Sequence, residues 1–264
     1  MPRAMELLCG QNIAPGANFV ALTMNAGNSL TIRNAARESR VMLLQAWADV
    51  QAAGTLRIRS PLIHDNVQGI RLDTVISEPK PLLPEGAPQM LIPQDTLVAE
   101  LAGSATAGDV ESAALLVYYD DVSGADAHFA TFEEIQPRIV NLVTVENTLA
   151  TGVAGGYSGE EALNAEFNLL KGNTDYALLG YLVDVECLAV RWRGIDTSNI
   201  GVGGPGDETA RDLTRNWFVN LSRAYSVAAI PIFNSANIAG IFLDAHQDEN
   251  GADVTVTSIL AQLR

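Results

Sequence analysis

Val41-Met42-Leu43-Leu44-Gln45-Ala46-Trp47-Ala48-Asp49-Val50-Gln51 aligns without gaps on Tyr176-Ala177-Leu178-Leu179-Gly180-Tyr181-Leu182-Val183-Asp184-Val185-Glu186. The offset is 135 residues, Leu-Leu and Asp-Val are identical, and most other positions keep their polarity. Further matches follow in the same order. Arg57-Ile58-Arg59 meets Arg191-Trp192-Arg193, Asn66 meets Asn199, and Ile92-Pro93 meets Ile230-Pro231. Gly108-Asp109-Val110 meets Gly251-Ala252-Asp253-Val254, and an apolar run follows each valine. Collinear matches at a nearly constant offset indicate an internal duplication.

Between the matched stretches the chain reads as short β-type runs separated by turn residues. Strands are expected at 19–24, 29–33, 41–51, 55–59, 69–75, 97–101 and 112–119. They continue at 139–146, 176–186, 188–193, 227–233, 238–243 and 253–260. Several are nearly solid apolar runs, as strands covered on both faces are. Asn250-Gly251 is a hairpin signal. Each half then holds about seven or eight strands, a number that suits two four-stranded sheets in a jelly roll. The expected fold is all-β: two tandem eight-stranded jelly-roll sandwiches, 1–134 and 135–264, divided near 132–137.

Two stretches read as helical insertions at the surface of the second half. Ser158-Gly159-Glu160-Glu161 has the form of a capping box, and Leu163, Phe167 and Leu170 follow at helical spacing before Gly172. This predicts a helix over 160–171. A second helix is expected from Asp207, where Leu213, Trp217 and Leu221 recur every four residues. The tail of that segment, 217–221, fits a strand equally well.

Composition sets the outer bounds. The 264 residues are 48% hydrophobic and 18% charged, enough apolar content for a packed core. No apolar run approaches the roughly 18 residues of a membrane helix. Residues 1–10 lack the apolar core of a signal peptide. Thirty-one acidic residues against 16 basic ones give a net charge of −15, which disfavours generic binding to a phosphate backbone. Two cysteines, Cys9 and Cys187, make no disulfide framework.

Catalytic patterns are sparse. His64, His128 and His246 are far apart and form neither H-x-H nor H-E-x-x-H, so each is expected at the surface or in a loop. Gly201-Val202-Gly203-Gly204-Pro205-Gly206 matches G-x-G-x-x-G formally, but Asp207 and Glu208 follow where a pyrophosphate would sit. A flexible loop is the expected reading. Gly156-Tyr157-Ser158-Gly159 lacks the glycine spacing of a nucleophile elbow. Asp120, Asp121 and Asp126 form one acidic cluster, and Asp244, Asp248, Glu249 and Asp253 another. Neither has EF-hand spacing, and both read as solvated turns. Arg57 with Arg59, and Arg191 with Arg193, each place two cations on one strand face. Such pairs suit either an exposed sheet face or a contact with the carboxylates of a neighbouring domain or subunit.

A duplicated jelly roll of this length resembles the double jelly-roll major capsid proteins of tailless icosahedral viruses, the lineage that includes adenovirus and lipid-containing bacteriophages. The resemblance spans the whole chain. It rests on the repeated L-L-x-x-x-x-D-V strand, the repeated R-x-R, and the G-D-V-E and G-A-D-V-T turns. It implies a structural coat protein of the virion, forming homotrimers of pseudo-hexagonal outline that contact neighbouring capsomers and other capsid proteins. It implies no catalytic, metal-binding or cofactor-binding residue, no cofactor, no sequence-specific contact with nucleic acid and no transmembrane span. The alternative is a receptor- or carbohydrate-binding β-sandwich presenting Trp or Tyr from Trp47, Trp192 and Trp217 or the tyrosines. An enzyme on a β-sandwich is a third class, with no constellation to support it.

Overall fold

The computed structural model describes residues 3–24, 30–36, 38–60, 68–76, 79–122, 128–150, 152–166, 170–247 and 253–264. The first ten strands are β1 (Ala4–Ile13), β2 (Val20–Ala21), β3 (Thr23–Met24), β4 (Leu30–Thr31), β5 (Val41–Asp49), β6 (Thr55–Arg59), β7 (Ile70–Asp73), β8 (Gln89–Met90), β9 (Thr96–Ala102) and β10 (Val110–Tyr119). Then come β11 (Phe129–Ala130), α1 (Phe132–Ile135), β12 (Ile139–Leu149), β13 (Glu161–Ala162), β14 (Asp175–Val183), β15 (Cys187–Arg193) and β16 (Val202–Gly206). The chain ends with α2 (Arg211–Thr214), α3 (Trp217–Tyr225), β17 (Ile230–Asn234), β18 (Phe242–His246) and β19 (Val254–Leu263).

Among the described residues four antiparallel sheets result, and none mixes strands from β1–β10 with strands from β11–β19. One early sheet runs β1-β10-β5-β8 with β3 at its edge, and the other runs β2-β9-β6-β7. The late sheets run β12-β19-β14-β17, edged by β11, and β13-β18-β15-β16. Eight principal strands of each half, numbered in order, therefore lie as 1-8-3-6 and 2-7-4-5. Strand 1 pairs with 8, 2 with 7, 3 with 6 and 4 with 5, as when one long hairpin is rolled up. This is the jelly roll, present twice. The matched stretches of sequence fall on equivalent strands: β5 and β14 are third, β6 and β15 fourth, and β10 and β19 eighth.

The helix expected over 160–171 does not form in the described part of that stretch. Glu161 and Ala162 are β13, paired with Leu243 and Phe242 of β18. The Ser158 hydroxyl takes no cap; it accepts from the Ala245 amide at 3.0 Å and donates to the Gly159 carbonyl. An edge of β18 with open backbone groups competes with local helix propensity and wins. Phe167 and the hairpin signal Asn250-Gly251 lie outside the described residues.

The second helical stretch forms as α2 and α3, but α3 is no surface insertion. Trp217, Phe218, Val219, Leu221, Ser222 and Tyr225 are all buried. A capping-box helix that the spacing did not suggest, α1, follows Thr131, whose side chain accepts from Glu134 N while Glu134 accepts from Thr131 N. The strand expected at 238–243 is shifted, because Ser235–Gly240 is a 3₁₀ turn and β18 begins at Phe242.

Besides the two-residue strands β8, β11 and β13, two longer strands were hidden in the sequence. One is β1, fully paired with β10 over ten residues. The other is β16, the glycine run read as a flexible loop; all five of its residues are buried. Glycine is required there by close approach. A Cβ on Gly204 would overlap the Trp217 indole nitrogen and the Tyr181 hydroxyl, and one on Gly206 would overlap the Cys187 sulfur. Trp217 Nε1 donates to the Gly203 carbonyl at 3.0 Å, and the Tyr181 hydroxyl donates to the Pro205 carbonyl at 2.7 Å.

Gly204→Ala is expected to lower stability by about 1–3 kcal/mol through overpacking, read as the shift in urea midpoint. Gly240→Ala, where a Cβ meets no atom within 4 Å, should leave the midpoint unchanged.

Candidate functional site

The seam between the halves joins their apolar interiors into one hydrophobic cluster. Strand β5 runs along it with all nine residues buried. One face of β5 belongs to the first core; the other lies under the second half. There the Trp47 indole donates to the Leu188 carbonyl at 2.7 Å and meets Trp217 edge-on, with ring centroids 5.9 Å apart. Gln45 donates to the Tyr225 hydroxyl at 3.0 Å, and that hydroxyl donates to the Leu44 carbonyl at 2.7 Å. Backbone joins the halves too, since the Leu7 amide donates to the Gly201 carbonyl at 2.8 Å.

Beside this lies a polar cluster drawn from both halves. Arg191 on β15 holds Asp244 on β18 through two hydrogen bonds of 2.9 and 2.5 Å. Its guanidinium stacks over the Tyr157 ring at 3.8 Å. Tyr157 meets His246 edge-on at 5.0 Å between ring centroids. Cys9 of β1 reaches in from the first half. Burial pushes its thiol up to about 12, against the hydrogen bond with Tyr157 and the nearby Arg191 charge. The thiol is therefore neutral and weakly nucleophilic. Burial, with Arg191 adding to it, pushes His246 down to about 4, so the ring is uncharged at neutral pH.

The first half carries an equivalent cluster. Arg57 and Arg59 on β6 both hold Glu100 on β9, Arg57 at 2.6 Å and Arg59 at 2.8 and 3.0 Å. Burial would raise the Glu100 carboxyl, but the hydrogen bonds of Arg59 and Arg57 outweigh it and hold its pKa below the ordinary value. Arg57 stacks over Phe19 at 4.0 Å. Arg57 stands opposite Glu100 as Arg191 stands opposite Asp244. An aromatic ring ahead of strand 2, an arginine on strand 4 and a carboxylate on strand 7 are thus written twice.

These pairs correct two expectations. The R-x-R arginines are used within their own halves; Arg193 likewise pairs with Glu160. Asp244 belongs to no solvated turn, with its side chain 3% exposed. His246 is also buried, at 2% exposure on β18, against the surface position expected of it. His128 is exposed as expected and lies 3.7 Å from Asp196. Asp120 pairs with Arg40 at 2.6 Å. His64, Asn66, Asp126, Asp248 and Glu249 lie outside the described residues. The repeated R-x-R pointed to the arginines, but their partners were illegible because Glu100 and Asp244 sit at unequal distances along the chain.

A polar groove of about 1310 Å³ opens at one end of the seam, lined by Glu38, Asp120, His128, Asp175, Asp196 and Asn237 among others. Three of its acids are engaged: Asp120 pairs with Arg40, Asp196 accepts from Asn234 N and Asn237 Nδ2, and Asp175 accepts from Asn234 Nδ2. Among the described residues no group of three or more His, Cys, Asp or Glu is placed to hold a metal ion. No helix there is long and apolar enough to cross a membrane.

No family model matches the chain, and no curated protein matches it. Solved structures with some likeness include the exported protein XepA of PBSX, 10% identical, covering 98% of this chain and 86% of that one at a TM-score of 0.24. The major capsid protein of Sulfolobus Turreted Icosahedral Virus is 8% identical over 100% of this chain and 97% of its own, TM-score 0.21. That of bacteriophage PM2 is 8% identical over 99% and 98%, TM-score 0.23. Scores this low carry no argument; the fold assignment rests on strand order.

The neutral His246 makes stability pH-dependent. Unfolded, the ring takes a proton near pH 6.5; folded, it resists down to about 4. Its contribution is present in full above pH 6.5 and is lost as pH falls. Between pH 6.5 and 5 the loss should be about 2 kcal/mol. Urea midpoints of the native chain and His246→Asn should show the slope flattening in the variant. Asp244→Asn leaves Arg191 buried without its counter-charge and should cost about 3–5 kcal/mol in the same assay.

Proposed function

We propose that this chain is the coat subunit of an icosahedral viral shell, built of two tandem jelly rolls, one of strands β1–β10 and one of strands β11–β19. The observation that carries the reading is the doubled strand order joined through one extensive, buried seam. Two equivalent sandwiches locked side by side present similar outlines twice. Three such chains around an axis have six similar corners, a shape that packs with neighbours in a closed layer. In this reading the partners are other copies of the chain and further shell proteins, the location is the virion, and the role is structural.

The clusters at Arg57 and Arg191 fit a structural role. Each ties strand 4 to strand 7 within one sandwich, where the arginine is consumed by a carboxylate and a ring. The alternative of a glycan-binding module loses its usual platform, since Trp47, Trp192 and Trp217 are all at most 2% exposed.

Size-exclusion chromatography with light scattering at low and high salt tests the proposal. The expected mass is three times 28.1 kDa, with shell fragments or closed particles by electron microscopy as concentration rises. A chain that stays monomeric at every concentration and salt would sink it.

A further inference from the structure

The two halves bury one equivalent face very unequally, and that inequality identifies a contact. Strand pairing sets the equivalence. Ala48 of β5 stands opposite Ala113, which stands opposite Gly10. In the second half Val183 of β14 stands opposite Val256, which stands opposite Asn147. The repeat matches Ala48 to Val183, so Gly10 corresponds to Asn147. Counting along the first strands, Cys9 corresponds to Glu146, Leu7 to Thr144 and Met5 to Leu142.

Met5, Leu7 and Cys9 are at most 2% exposed, and the second half of the same chain lies against Leu7 and Cys9. Leu142, Thr144 and Glu146 are exposed, Leu142 by 61% and its neighbour Val140 by 52%. They lie on β12, the edge strand of its sheet. An exposed edge of this length with outward Val and Leu side chains is a pairing surface unless something covers it.

What covers the equivalent face in the first half is known. It is the region of β15 and β16, with Arg191 and Tyr157 against Cys9, and the Gly203 position against Leu7. The first half has its own copy of that covering surface in β6 and β7. Arg57 corresponds to Arg191. Arg71 stands opposite Arg57 on β7, as Gly203 stands opposite Arg191 on β16. Phe19 takes the place of Tyr157, and the guanidinium of Arg71 lies 5.3 Å from its ring centroid. Arg71 is exposed, and so are Val75 (53%) and Ile76 (50%) just beyond β7.

Resting on the shell-subunit reading, we propose that the occupant of the β12 face is a second copy of this chain, docking its β6–β7 surface there as β15–β16 docks on β1. Charge supports the pairing. Where Cys9 sits against Arg191 inside the chain, Glu146 would face Arg57 of the next copy, which Glu100 already holds, and the exposed Arg71 directly across the strand pair from Arg57. Apolar side chains flank both sides of that charge pair. The contact is head-to-tail, so each copy uses one surface and leaves the other for the next. Repeated around an axis, it closes the ring.

Glu146 and Arg71 are both exposed, so reversing either charge should leave the fold intact, as far- and near-ultraviolet circular dichroism will check. Glu146→Arg alone and Arg71→Glu alone should each raise the concentration of half-association by about ten-fold or more, by like-charge opposition. The double variant should recover most of the native value. Separately purified Glu146→Cys and Arg71→Cys chains, mixed under mild oxidation, should give a disulfide-linked pair that neither forms alone. A native chain that associates, with both single variants associating equally well and no mixed crosslink, overturns this surface and leaves the shell reading standing. A native chain that never associates overturns both.

Discussion

A nine-residue strand with every side chain buried has to be covered on both faces, and β5 imposes that condition on everything around it. One face is met by the first sandwich in the ordinary way. The other offers Gln45, Trp47 and Asp49 to whatever lies beyond. An indole and an amide removed from water need acceptors and donors in place, since an unpaired buried polar group costs about 1–3 kcal/mol. The Leu188 carbonyl and the Tyr225 hydroxyl supply them, and both belong to the second half. The seam is thus fixed in register by hydrogen bonds and held by apolar area. This explains why α3 is buried: it fills the space between β14 and the first half, with Trp217 against Trp47. It also explains Gly204 of β16, which leaves room for Trp217 and Tyr181.

The repeated arginine–carboxylate pairs act differently. Each is largely withdrawn from solvent, so desolvation offsets much of the attraction, and net stabilisation is not the strongest reason to keep it. What such a pair adds is selectivity. Arg57 opposite Glu100 and Arg191 opposite Asp244 fix the register of strand 4 against strand 7, because a slip of one residue would leave a buried charge unmatched. The two arginines on β6 share one carboxylate, whereas β15 spends its second arginine on Glu160.

The doubled architecture was legible because β5 and β14 kept Leu-Leu and Asp-Val at the same spacing, and equivalent strands bury equivalent positions. The strand β1 was not, because Glu6 and Gln11 interrupt its apolar run. Glu6 is accommodated by Arg33, bound at 2.6 and 2.8 Å, and by the Tyr119 hydroxyl, partners distant in sequence. The strand β16 was illegible for the opposite reason: its glycines answer to bulky neighbours from elsewhere in the chain. The false helix near Ser158 shows local signals giving way to an unpaired strand edge. His246 and Asp244 looked like ordinary polar residues near an acidic turn, since only pairing with β15 carries them inside.

The two halves share one strand order but do unequal work. The connection between strands 5 and 6 carries α2 and α3 in the second half, while in the first it is the proline-bearing stretch before β8. The second half therefore has a helix to lay on the first, and among the described residues the corresponding connection of the first has none to lay on the second. A seam built this way joins unlike surfaces, so satisfying it within one chain leaves one member of each pair unused at the two ends. A chain with net charge −15 also repels its copies at distances up to the screening length of about 8–10 Å. Its 16 cations are scarce, and many are bound internally, at Glu6, Glu100, Asp120, Glu134, Glu160 and Asp244. An exposed cation beside an aromatic ring, flanked by apolar side chains and placed where the other half makes its own internal contact, is a place where that repulsion is locally reversed.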